Sequence, residues 1–246
     1  MKNYKMILQY DGTKYNGWQK QKNTDKTIQG KLEAILEKLT GEAIEVHGSG
    51  RTDMGVHAIG QVANAKLNFD GTAKQLQQYI NDYLPKDIVV YSIDEMPMRF
   101  HSRLNAVRKT YCYRIHLSPV RNVFERNYIW NYGKPLNISQ MKQAAIYLIG
   151  EHDFLPFCDQ KKMKKSSVRI IERIDWEETE QECKIFFQGN GFLYHMVRKI
   201  VGTLVEIGEG KKNPDLIQEI LETGNRELVS GIAPAEGLCL MSVEYE

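Results

Sequence analysis

Residues 43–69, AIEVHGSGRTDMGVHAIGQVANAKLNF, decide the fold. Ala43–His47 and Gln61–Phe69 alternate apolar and polar side chains, the period of a half-buried strand. Between them, GSGRTDMGVHA at 48–58 sets three glycines around Arg51, Thr52, Asp53 and His57. Glycine permits backbone angles and close approaches that other residues refuse, so a polar tip between two strands is a natural site. The loop is not a dinucleotide fingerprint, because Asp53 stands where the third glycine is needed. Nor is it a phosphate loop, since no Gly-Lys-Ser/Thr follows. Asp53 is open to four readings: nucleophile, general base, metal ligand, or a turn residue bonding its own backbone. Nearby Arg51 favours the ionised carboxylate, which rules out a general acid and leaves nucleophile or base among the catalytic roles. His57 would make a metal pair with Asp53 only with a third acid or histidine close by.

Outward from this stretch, the pattern alternates helices and strands. Lys5–Tyr10 reads as a strand. Ile28, Leu32, Ile35, Leu36 and Leu39 recur at helical spacing after Thr27, and Gly41 stops them. Thr72 caps a second helix carrying Leu76, Ile80 and Leu84 up to Pro85, and Ile88–Ile93 is a short strand. Beyond it come a strand at Tyr111–Leu117, a helix at Ser139–Ile149 and strands at Val168–Trp176 and Cys183–Gln188. A long helix follows at Leu193–Ile207, then a short one after Pro214 and a last strand at Leu238–Tyr245. The class is α+β. The similar content of the two halves predicts two related mixed α/β subdomains, 1–104 and 105–246, whose antiparallel-rich sheets join. In the long helix Arg198 lies on the flank of the apolar face. It reads either as a snorkelling side chain or as a fork holding a carboxylate, with Asp53 the obvious candidate.

The 246 residues hold one or two domains. No run of 18 apolar residues points to a membrane, and the polar start of the chain predicts a cytoplasmic protein. Cys112, Cys158, Cys183 and Cys239 are too scattered for a zinc knuckle or a disulfide framework. The net charge of +2 hides an uneven distribution. Residues 1–31 carry seven lysines against Asp11 and Asp25, while 206–246 carry nine acids against three bases. The window 97–124 contains Arg99, Arg103, Arg108, Lys109, Arg114 and Arg121 without an acid, interleaved with Phe100, Tyr111 and Tyr113. Cations for phosphates and rings for bases make this the composition of a nucleic-acid groove. Lys161, Lys162, Lys164 and Lys165 form a second cluster, readable as a solvated loop.

The chain resembles the TruA family of tRNA pseudouridine synthases along nearly its whole length. The motifs are YDGTKYNGWQKQ (10–21), TIQGKLE (27–33), GSGRTDMGVHAIGQVA (48–63), LPKDIVV (84–90), FHSR (100–103), RKTYCYRI (108–115), GEHDF (150–154), GNGFLYHMVRKIVGTL (189–204) and APAEGLCLMSVEY (233–245). The resemblance implies the pseudouridine synthase fold, with a central RNA-binding cleft between the subdomains. It further implies isomerisation of a flipped-out uridine at positions 38, 39 and 40 of the tRNA anticodon arm, with no cofactor and no metal, by a homodimer. Asp53 matches the nucleophile, Tyr111 the tyrosine that stacks beside the uracil and takes the C5 proton, and Arg198 the partner of the catalytic carboxylate. Arg51 matches the residue that prises out the nucleotide, and Leu238 packs on the flipped base. Arg103 and Lys109, from the basic window, are further substrate-binding candidates. Leu104-Asn105-Ala106 replaces the family's usual Phe-Ser-Ala, and Cys112 fills a slot that is often basic in relatives. The alternatives are a synthase for ribosomal RNA or another tRNA position, or a non-catalytic RNA-binding protein on the same scaffold. Intact Asp53, Tyr111 and Arg198 argue against the last.

Overall fold

The computed structural model describes residues 1–160 and 166–246, so the lysine cluster at 161–165 lies outside the described residues. In chain order the elements are β1 (Lys2–Tyr10), α1 (Ile28–Thr40), β2 (Val46–Gly48), β3 (His57–Leu67), α2 (Ala73–Tyr83), β4 (Ile88–Met96) and β5 (Ala106–His116). They continue with β6 (Trp130–Asn131), α3 (Ile138–Ile146), β7 (Gly150–Asp153), β8 (Val168–Glu178), β9 (Glu182–Gly189), α4 (Met196–Gly208), α5 (Leu216–Thr223) and β10 (Leu238–Tyr245). The chain is a mixed α/β protein with mainly antiparallel strand pairs, and it divides into two compact units, 1–107 with 239–246, and 108–238.

In the first unit the strand order is β4–β1–β3–β10, with β2 also on β3. β1 shows why. Tyr4, Met6, Leu8 and Tyr10 alternate onto one buried face, and a one-residue slip would expose all four. The eleven residues of β3 give its far edge room for two partners. Val46–Gly48 pairs with Ala63–Ala65, and Cys239 and Leu240 run parallel to His57 and Ala58. Gly60 is required there, since a Cβ would come 2.3 Å from the carbonyl oxygen of Met241. The sequence reading kept 239–246 with the second subdomain. The division into compact units places it in the first unit instead, where the Tyr245 hydroxyl donates to the Ser102 carbonyl at 2.7 Å.

α1 and α2 start and stop by local chemistry. The Thr27 side chain accepts from Gly30 N, and Gly41 closes α1 at φ 73°. Thr72 and Gln75 form a reciprocal capping box on α2. Apolar stripes of Ile28, Leu32 and Leu36 on α1, and of Leu76 and Ile80 on α2, are buried, each side chain contributing about 1.5–3 kcal/mol. The strand expected at Ala43–His47 begins only at Val46. Its backbone is taken up by buried side chains of α1: Val46 N donates to Glu33 Oε1 at 3.1 Å, and Gln29 Nε2 donates to Val46 O at 3.1 Å.

In the second unit the order is β5–β9–β8–β7, with the two-residue β6 on β5. α3 packs on α4 and α5, burying Met141, Ala144 and Ala145, while α4 buries Ile200, Val201, Leu204 and Ile207. β6 and β7 are too short for their periodicity to be read from sequence. α4 begins three residues later than expected, because His195 adopts a left-handed conformation at φ 63°.

Thr72→Ala removes the side-chain half of the capping box. It is expected to lower stability by about 1 kcal/mol, read as a lower urea midpoint with an unchanged slope.

Candidate active site

The loop after β2 is held from below by the segment after β1. Trp18 N donates to Thr52 O at 3.1 Å, Gly55 N to Tyr15 O at 3.3 Å, and Val56 N to Asp53 O at 3.2 Å. Glycines make this approach possible. A Cβ on Gly12 would lie 2.1 Å from Val56 O, and one on Gly17, at φ +86°, would lie 2.6 Å from Thr52 O. A fully buried polar chain supports the same loop. The Tyr10 hydroxyl meets Thr52 Oγ1 at 2.8 Å, Gln61 Nε2 donates to the Tyr10 hydroxyl at 3.3 Å, and Ser49 Oγ donates to Gln61 Oε1 at 2.7 Å. Burial pushes the Tyr10 phenol far above its usual range, against the pull of its bonds to Thr52 and Gln61, so it stays neutral and structural.

This frame holds Thr52 and Val56 buried on either side of a part-exposed Asp53, with Met54 at the tip 67% exposed. Arg51, two residues before Asp53, is exposed. His57 does not face a metal with Asp53. It is buried, and its Nδ1 accepts the Gly12 N–H at 3.0 Å. A nitrogen that accepts carries no proton, so its 3.3 Å approach to Asp11 Oδ1 is not an ion pair. Among the described residues no group of three or more His, Cys, Asp or Glu side chains is placed to hold a metal ion. Arg103 is exposed at the end of the FHSR turn of the same unit, where its N–H donates to His101 Nδ1 at 3.1 Å.

The other candidates belong to the second unit. Lys109, Tyr111 and Tyr113 alternate along β5, opposite Gly189, Phe187 and Ile185 of β9. Tyr111 is buried, with Phe192 edge-on to its ring at 5.2 Å. Arg198 sits in the first turn of α4, where Nε donates to the Ala233 carbonyl at 2.7 Å and fixes the plane of the guanidinium. Gly202 admits this neighbour, since a Cβ there would fall 1.9 Å from Gly231 O. Leu238, buried at the start of β10, follows a turn packed on Tyr113, whose hydroxyl donates to Pro234 O at 2.7 Å. Trp18, Gly17, Gln61 and Phe192 were missed as supports of the site. Their only sequence signal is that Trp18, Gly17 and Phe192 fall inside the YDGTKYNGWQKQ and GNGFLYHMVRK runs, and Gln61 inside the GSGRTDMGVHAIGQVA run.

The charge reading needs correction. In the window 97–124, Arg108 Nε meets Glu172 Oε2 at 2.5 Å, and Arg114 meets Glu182 at 2.6 Å and Glu125 at 2.8 Å. Five of the seven N-terminal lysines, Lys2, Lys5, Lys14, Lys20 and Lys31, likewise pair with acids. Apart from Asp25, which lies inside the N-terminal window, these acids come from outside the two windows, on β4, α1, β8, β9 and two loops, which a window count cannot see. Cys112 is buried, so a basic residue in that slot would not have met solvent. In the first unit Arg51, Arg99 and Arg103 are exposed, as are Lys22, Lys26, Lys66 and Lys74.

A family model described as tRNA pseudouridine synthase matches residues 6–105 and 144–246, which leaves Lys109 and Tyr111 outside the matched residues. Over 245 residues, with 100% of both chains covered, the protein is 46% identical to the "tRNA pseudouridine synthase A" of Bacillus sp. strain KSM-64. At the same coverage it is 46% identical to the "tRNA pseudouridine synthase A 1" of Clostridium tetani and 43% to the "tRNA pseudouridine synthase A 2" of Bacillus cereus strain ZK / E33L. Fold and motifs thus define an isomerase that converts uridine to pseudouridine. The chain belongs to the tRNA pseudouridine synthase family.

Two glycines with similar backbones separate site from stability. Gly41→Ala, at φ +73° with open space around it, is expected to cost about 1–2 kcal/mol and leave turnover intact. Gly17→Ala adds a clash with Thr52 O, and its turnover at matched fraction folded is expected to fall by an order of magnitude or more.

Proposed function

We propose that this protein converts uridine to pseudouridine at positions 38, 39 and 40 in the anticodon arm of tRNA, as a cytoplasmic homodimer. The observation that carries the reading is the presentation of Asp53: a part-exposed carboxylate on a loop whose neighbours are buried and whose backbone is bonded to the 12–18 segment. Such preorganisation suits a group that must act at one atom of a bound nucleotide. The full-length similarity to proteins named tRNA pseudouridine synthase A supports tRNA as the substrate.

The reaction breaks the C1′–N1 bond, turns the uracil and joins C5 to C1′. One proton leaves C5 and one is gained at N1, so the product is an isomer and nothing else is consumed. Asp53 is assigned as the reacting carboxylate, Tyr111 as the stacking ring that receives the C5 proton, and Arg198 as the cation that the family pattern sets beside the acid. A uridine inside a stem reaches no pocket, so the base must flip out, with Arg51 filling its place and Leu238 against the extruded ring. Detached uracil must not diffuse away, which favours the buried, aromatic setting that Phe192 gives Tyr111. Arg103 and Lys109 are assigned to phosphates, which set register, while the shape of the folded RNA sets selectivity.

In a strain lacking the gene, tRNA is expected to lose pseudouridine at 38, 39 and 40. Wild-type protein restores it, and Asp53→Asn restores none while still binding tRNA. Loss from another RNA, or restoration by Asp53→Asn, overturns the reading. Tyr111→Phe is expected to bind tRNA and stall before C5 proton release. Affinity for tRNA falls with salt, and Arg103→Ala is expected to make the log–log slope shallower by about one. An unchanged slope removes Arg103 from the phosphate contacts.

A further inference from the structure

The first turn of α4, which carries Arg198, is entered through an unfavourable backbone. Among the described residues His195, at φ 63° and ψ 1°, is the one non-glycine residue in the left-handed region. There the Cβ of an L residue crowds its own backbone carbonyl, so something must over-determine the conformation. The chain does so with one carboxylate. His195 Nδ1 lies 2.5 Å from Asp159 Oδ2, and Lys199 Nζ lies 2.5 Å from Asp159 Oδ1. Asp159 N also donates to Tyr194 O at 3.4 Å, and the Tyr194 ring stacks on His195 with centroids 3.7 Å apart.

The His195 and Lys199 side chains are mostly buried, at 17% and 19% exposed, while the Asp159 carboxylate they share is 36% exposed. Burial alone would raise the Asp159 carboxyl, but the bonds from His195 and Lys199 outweigh it and hold the group below its ordinary value, ionised at neutral pH. His195 and Lys199 bracket Arg198 within the turn. On the other side of the left-handed residue, the chain delivers Phe192 to the edge of Tyr111.

We propose that Asp159 is a positioning residue for the isomerisation. By gripping His195 and Lys199 it locks the left-handed turn, and the turn sets Phe192 against Tyr111 on one side and Arg198 on the other. This rests on the reading that Arg198 and Tyr111 serve the reaction. An ordinary exposed ion pair would be worth little and would act on stability alone. A clamp acts on the placement of groups that matter in the transition state, so kcat falls while KM for tRNA holds.

The experiment compares Asp159→Ala, His195→Gly and His195→Asn, each assayed on tRNA at a temperature where melting curves show it fully folded. Glycine accepts the left-handed turn but has no donor. Asparagine tolerates the turn and places its side-chain N–H at the position of the imidazole Nδ1. We expect Asp159→Ala and His195→Gly to lower kcat on the order of 10- to 100-fold at near-constant KM, and His195→Asn to recover most of it. His195→Gly carries the test if Asp159→Ala does not fold. Wild-type kcat in Asp159→Ala and His195→Gly, or a change confined to melting temperature or KM, overturns the clamp. Arg198→Ala and Tyr111→Phe measured alongside separate the two levels. If both retain full turnover, the reading of the site fails and the clamp with it; if they lose it while the clamp variants do not, only the clamp fails.

Discussion

Two backbone segments approach more closely than side chains would permit, and the rest of the first unit is arranged around that contact. The 12–18 segment lies under the 52–56 loop with Gly12 and Gly17 at the tightest points, and Trp18 N and Tyr15 O bond across it. Trp18, 2% exposed, then packs so closely on β2 that Gly48 can bear no Cβ, its place lying 2.5 Å from the indole ring. The loop that carries Asp53 is therefore a rigid shelf with both ends fixed, which is what a carboxylate needs to act at a single atom.

Polar groups finish what the glycines begin. Ser49, Gln61, Tyr10 and Thr52 are all under 10% exposed and satisfy one another in a chain. Leaving one of them unpaired would cost about 1–3 kcal/mol, more than a single bond contributes. Such a chain therefore specifies one geometry of the loop and penalises others. The second unit solves the same problem differently, through a strained residue, a carboxylate across it, and the guanidinium of Arg198 bonded to a carbonyl.

Electrostatics illustrate how far linear composition misleads. A near-neutral chain looked like a basic front and an acidic tail, yet the pairs Lys2–Glu95, Lys5–Asp94 and Lys20–Glu33 draw on residues dozens of positions apart or on a neighbouring helix. Exposed pairs of this kind contribute little to stability, but each cancels local charge that would otherwise face a phosphate. Exposed cations outside these pairs, Arg51, Arg99 and Arg103 among them, remain in the first unit to meet phosphates.

The sequence by itself determined what is local. Caps and stops at Thr27, Gly41 and Thr72 bounded α1 and α2, and alternation bounded β10 at Leu238–Tyr245. The motifs around Asp53 and Arg198 pointed to a family without reference to geometry. Only the tertiary structure decided that His57 is a buried acceptor for Gly12, that Arg108 and Arg114 are neutralised, and that β10 belongs with the first unit. It alone placed His195 in the left-handed region under Asp159. The physical reason is range. Helix caps and side-chain periodicity are interactions among residues within a few positions of one another. Ion pairs, strand partners and the closure of a strained turn depend on groups that only folding brings together.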